Sequence, residues 1–159
     1  MFGIERGARK TESVISKKLA EVNVLPIDVG DHSDLKKQIL MNNIEDQDIK
    51  ILKILKDELI SPNIEFLVST FYDNIAHSPI LLEIINDHSS IERLKKTLII
   101  HLVEMFNGVI DETFIAKRFT VAHTQVRIGL EQKWYMCAYQ GLQLEIFKWF
   151  IITINMRKM

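Results

Sequence analysis

Beyond about Asp34, apolar residues recur at steps of three and four, the mark of amphipathic helices, and no convincing two-residue alternation predicts a strand. Ile51, Leu52, Leu55 and Leu59 make one such stripe, with Lys53, Lys56 and Asp57 off it. Ser61-Pro62 reads as an N-cap followed by proline at the first helical position, where a missing N–H costs nothing. The helix it opens turns Ile64, Leu67, Phe71 and Ile75 inward, with Tyr72 at the edge of the stripe. Ser78-Pro79 repeats the start signal for a short helix reaching about Ile85. Ser89 and Glu92 fit a capping box opening a long helix, with Ile91, Leu94, Leu98, Leu102 and Met105 inside and Gly108 closing it. Asp111 is placed to cap the next helix, where Phe114, Arg118, Val121 and Gln125 follow at helical steps.

A last helix starts near Glu131. Tyr135, Ala138, Leu142, Ile146 and Trp149 form one stripe, while Trp134, Cys137, Leu144, Phe147 and Ile151 lie on other sides. A helix apolar on several sides must be covered on several sides, and a second copy of the chain is the cover expected. Residues 1–32 are polar, mixed in pattern and interrupted by Pro26 and Gly30, and predict a flexible arm or short helix. Residues 33–159 read as one domain without repeats or linkers, and the fold class expected is all-α.

Composition excludes more than it assigns. Twenty basic and 21 acidic residues leave a net charge of −1, so nothing favours nucleic acid or an anionic membrane. Cys137 is the single cysteine, which excludes an internal disulfide and fits a reducing cytoplasm. The N-terminus has no apolar core of a secretory signal. The greasiest run, residues 146–154, is about half a membrane span long and contains Lys148, so no span is expected. The five histidines form no HExxH, and neither a phosphate-binding glycine loop nor a nucleophile elbow occurs. A non-enzymatic cytoplasmic protein is the expectation.

The runs Phe71-Tyr-Asp-Asn-Ile75, residues 84–98, Glu104-Met-Phe-Asn-Gly-Val-Ile-Asp111 and residues 126–136 closely resemble, in matching order, globin-coupled sensor (protoglobin-like) domains such as those of bacterial aerotaxis receptors. The resemblance spans roughly residues 34–150. It implies a globin-like fold without the D helix, an interhelical pocket, and a homodimer through the C-terminal helices. Haem-binding relatives continue with a further helix after the position of Asn155, so a shortened C-terminal region is expected. In those relatives the helix before Arg-Ile-Gly-Leu carries the iron-binding histidine two residues ahead of the arginine, and here that position is Gln125. A glutamine amide is a much weaker iron ligand than imidazole. His123 is two residues earlier, which on a helix turns it roughly 200° away. It is the fallback axial ligand if the chain is a haem-based gas sensor.

By the same resemblance Tyr72 matches the tyrosine that hydrogen-bonds bound gas, Leu94 and Thr97 match distal residues, and Tyr135 matches a proximal-side tyrosine. The subfamily closest in this respect comprises non-haem globin sensor domains of spore-forming bacilli, related to the sensor region of a sporulation histidine kinase and including stand-alone inhibitory proteins. It implies a fatty acid in a hydrophobic tunnel, an arginine on its carboxylate, chloride nearby, and a homologous kinase sensor domain as partner. Arg118 is the first candidate for that arginine, because seven residues place it on the face of Gln125. Arg127 is second and Arg93 third, and His88 and His101 are candidates for a polar chamber around an anion. Three readings follow: an amphiphile sensor without cofactor, a haem-based gas sensor, and a ligandless dimeric interaction module.

Overall fold

The computed structural model describes residues 16–156, among which every regular element is helical. Residues 16–21 form α1. Then come α2 (Ser33–Met41), α3 (Asp46–Leu55), α4 (Ser61–Ile75), α5 (Pro79–His88), α6 (Ile91–Met105), α7 (Glu112–Arg127) and α8 (Gln132–Met156). No described helix is long and apolar enough to cross a membrane. Residues 1–15 of the expected arm lie outside the described residues.

The break expected at Ser61-Pro62 does not occur. A π-helical turn, Lys56–Ile60, carries α3 straight into α4, and the Ser61 N–H bonds back five residues to the Lys56 carbonyl. The cause is Pro62, which has no N–H to give an α-helical partner and whose ring would crowd the preceding turn; a wider turn lets it pass. Asn63 Nδ2 donates to the Leu59 carbonyl at 2.7 Å, occupying an acceptor at the widened turn. The extra residue also rotates the apolar face. Ile49, Leu59 and Ile60 are buried, whereas Ile51, expected inside, is 38% exposed.

The core is the meeting of that turn with α4, α6 and α8: Ile60, Leu67, Val68, Tyr72, Leu98, Leu102 and Leu142, flanked by Ile64, Phe71, Ile75, Leu94, Ile146 and Trp149. Tyr72 stands inside this cluster, not at its edge. On α8 the stripe containing Leu142, Ile146 and Trp149 packs as expected, and Trp149 meets Phe66 edge-on at 5.6 Å. Its other sides leave Met136, Leu144, Phe147 and Ile151 exposed.

Caps fix the register of the remaining helices. Ser90, one residue beyond the expected Ser89, caps α6 by accepting from the Arg93 N–H at 3.3 Å. Asp111 Oδ1 accepts from the Phe114 N–H at 2.7 Å and starts α7 as expected. Between them Gly108 takes φ +69°, and a Cβ there would stand 3.1 Å from the Ile49 carbonyl oxygen. That close approach seats the α6–α7 loop on α3. The described part of the arm expected to be flexible contributes Val29, which is buried, and is tied down at several points. Lys18 pairs with Glu58, Lys53 Nζ donates to the Asn23 carbonyl at 3.0 Å, and the Asp28 N–H donates to the Ile110 carbonyl at 2.9 Å.

Candidate functional site

Helix α7 ends in a Schellman motif written in Arg127-Ile-Gly-Leu130. Gly129 adopts φ +73°, its N–H bonds to the Val126 carbonyl at 3.1 Å, and the Leu130 N–H bonds to the Gln125 carbonyl at 3.0 Å. The motif therefore stops the helix and pins Gln125 in its last turn. Positions 114, 118, 121 and 125 are half-buried in phase, so Phe114, Arg118, Val121 and Gln125 share the inner side, as their spacing predicts. His123 and Arg127 are exposed. No residue of α7 is fully buried. Side-chain hydrogen bonds and ion pairs tie it to α6.

Those contacts converge on Glu104 of α6. Its Oε1 accepts from Lys117 Nζ at 2.6 Å and its Oε2 from Arg118 Nη2 at 2.7 Å. The Lys117 hydrogen bond, opposed by partial burial and helped by the two positive charges, holds the Glu104 carboxyl below its usual range. Arg118 Nη1 reaches His101 Nε2 at 3.4 Å, and the Tyr139 hydroxyl of α8 is 2.9 Å from the same nitrogen. A guanidinium only donates, so its bond to Nε2 forms in the neutral tautomer that leaves this nitrogen without a proton. Burial first, and the Arg118 charge second, bring its pKa down to about 4 against a weaker opposing pull from Glu104. The Tyr139 hydroxyl also lies 3.8 Å from Met105 Sδ, and its ring is 4.7 Å from that of Tyr135. Burial, reinforced by Tyr135, raises the Tyr139 pKa. The Arg118 guanidinium carbon lies 4.6 Å from the centre of the Phe114 ring, a cation–π distance.

Among the described residues two buried donors have no partner: Arg118 Nε and Trp134 Nε1. An unmet buried donor costs about 1–3 kcal/mol, so each would gain from an incoming acceptor. The chemistry on offer is anion recognition by a half-buried guanidinium, beside a neutral imidazole, with tyrosines and a phenylalanine as apolar wall.

The structure gathers some of the residues singled out in the sequence and separates others. Arg118 and Tyr135 belong to this cluster, and His101 joins them. Tyr72 and Leu94 belong to the core; burial pushes the Tyr72 pKa up to about 12, and its hydroxyl has no hydrogen-bond partner among the described residues. Thr97 is exposed and donates to the Arg93 carbonyl of its own helix at 3.0 Å. Arg93, His88 and Arg127 are exposed. Glu104, Lys117 and Tyr139 were not foreseen. Glu104 stands three residues from His101 and Tyr139 four from Tyr135, so helical spacing places each beside a residue already marked. A separate surface cleft of about 460 Å³, lined by Lys18, Glu21, Lys53, Asp57 and others, is charged in both signs and shares no residue with the cluster.

Helices α4, α6 and α8 meeting around one core, α7 tied to α6 through Glu104, and only Ser89 and Ser90 between α5 and α6 define a globin-like bundle with no room for a D helix. The protoglobin family model matches residues 31–158, and the chain belongs to that family. The family is one of globin-type sensor and ligand-binding domains, which defines the coarse class of this protein. Haem is the group this fold implies, and the side chains of α7 do not fit it. The one histidine of α7, His123, is exposed, and the inner side of the last turn presents Gln125 instead.

Proposed function

We propose that this chain is a non-haem sensor globin that binds a fatty acid or similar amphiphile in the place its relatives give to haem. In this reading it acts in the cytoplasm on a sporulation sensor kinase, either by sequestering the signal or by pairing with the kinase's homologous globin domain. A homodimer through α8 completes it, because the exposed Met136, Leu144, Phe147 and Ile151 need cover.

One observation carries the ligand assignment. The inner side of α7 offers Arg118, with a buried Nε lacking a partner among the described residues, and Gln125 where iron would need an imidazole. A carboxylate suits that guanidinium, and an acyl chain gains roughly 0.8 kcal/mol per buried methylene. Because no residue of α7 is fully buried, this helix is the wall that can give way to a chain. Gln125, half-buried and without a side-chain hydrogen bond among the described residues, is a second polar group for the ligand head or for chloride.

The test is lipid extraction and mass spectrometry of the purified protein, with an absorption spectrum after haem supplementation. A bound long-chain acid and no Soret band are expected. Well-folded protein that neither carries nor takes up a long-chain acid, or a Soret band lost on His123→Ala, refutes the reading.

A further inference from the structure

Glu104 and Arg118 meet in a way that leaves the arginine half-used. Nε and Nη2 lie along one edge of a guanidinium, the edge a carboxylate grips with both oxygens. Glu104 takes Nη2 at 2.7 Å with Oε2, but its Oε1 is already committed to Lys117 Nζ at 2.6 Å, and Nε is left buried without a partner. The glutamate therefore serves two cations with one oxygen each and fills neither site.

We infer that Glu104 is an internal stand-in for the ligand's carboxylate, and that ligand binding is an exchange. An arriving acid grips Arg118 through Nε and Nη2 together, Glu104 lets go of Nη2, and Lys117 keeps the displaced carboxylate neutralised. The inference rests on the proposed function, since it requires an amphiphile to reach Arg118. It goes further in naming two residues that set the site's preference. Glu104 competes with the acid, and Lys117 makes the competition reversible by giving Glu104 somewhere to remain. Without Lys117 the glutamate would fall back wholly on Arg118 and close the edge. Because Lys117 and Arg118 are neighbours on α7 while Glu104 is on α6, the exchange also removes one of the ties between the two helices. Ligand occupancy is thereby coupled to how firmly α7 is held.

The test compares dodecanoate with dodecanol, which share a chain and differ in the head group, by titration calorimetry on the full-length chain and on the E104Q and K117M variants. E104Q should tighten dodecanoate roughly tenfold, the value of one competing charge-assisted contact, and leave dodecanol unchanged. K117M should weaken dodecanoate by a similar roughly tenfold factor, again without moving dodecanol. A merely structural Glu104 would shift both ligands together, and that outcome, or no change in the acid-to-alcohol ratio in either variant, overturns the exchange. K117M carries the test alone if E104Q fails to fold. If the wild-type chain binds neither compound, the inference falls together with the proposed function. Binding of both with an unmoved ratio overturns the exchange alone.

Discussion

His101 gives the most quantitative prediction. It is half-buried on α6, has Arg118 Nη1 and the Tyr139 hydroxyl within hydrogen-bond reach of Nε2, and has its pKa brought from 6.5 to about 4. A histidine depressed in the folded state is bound to more protons when unfolded, so its contribution to stability is complete above the unfolded pKa and is lost as pH falls towards the folded one. The window runs from about pH 6.5 down to about 4. Within it stability should fall, with a ceiling of roughly 1.4 kcal/mol per pH unit that solvent screening lowers. Discounted for solvent screening at this half-buried site, the loss from neutral pH to about pH 5 is about 1 kcal/mol, or roughly 2–4 °C in Tm for a domain of this size. The lowered Glu104 pKa acts in the same direction but further into acid, as pH falls below its ordinary 4.5. Urea unfolding of the wild type and H101Q at a series of pH values isolates the term, because a glutamine amide can hydrogen-bond Arg118 and Tyr139 without titrating. The wild-type curve should fall away from the H101Q curve between neutrality and about pH 5. Parallel curves would refute the assignment of a buried, neutral His101.

Other outcomes follow from packing and backbone. Leu102→Ala, at a position 1% exposed in the central cluster, should cost about 2–5 kcal/mol in urea unfolding. Gly129→Ala has open space around it but must hold φ +73°, so it should cost about 1–2 kcal/mol and fray the end of α7, visible as faster amide exchange at Leu130. Phe147→Glu, at a side chain 63% exposed, should leave the melting of the monomer within about 0.5 kcal/mol while converting a homodimer to monomer in light scattering. A dimer that survives it places the interface elsewhere.

The helices were legible where a single periodicity decided them. Leu98 and Leu102 on α6, Leu142 and Ile146 on α8, and the shared side of Arg118 and Gln125 all follow from spacing that a helix cannot evade. The Ser61-Pro62 signal misled because proline's missing N–H is equally compatible with a helix start and with a wide turn inside a continuous helix. Burial of Leu59 and Ile60 chose between them, and burial is a tertiary fact. The site was legible by half for a similar reason. Arg118 could be marked from its phase relative to Gln125. Its principal partner, Glu104, is 14 residues away on another helix, and an ion pair across helices leaves no local pattern. Tyr72 shows the converse: its match to a ligand-binding tyrosine is carried by resemblance, whereas its surroundings are those of a core residue.

The manner in which α7 is held divides the domain's response to its solvent. Ion pairs such as Lys117–Glu104, with side chains 54% and 25% exposed, weaken as mobile ions screen them over about 10 Å at 0.1 M. The cluster around Leu67 and Leu102 answers in the opposite sense, since excluded salts such as sulfate tighten apolar burial. An excluded salt such as sulfate is therefore a dial that firms the centre of this bundle while loosening one of its walls.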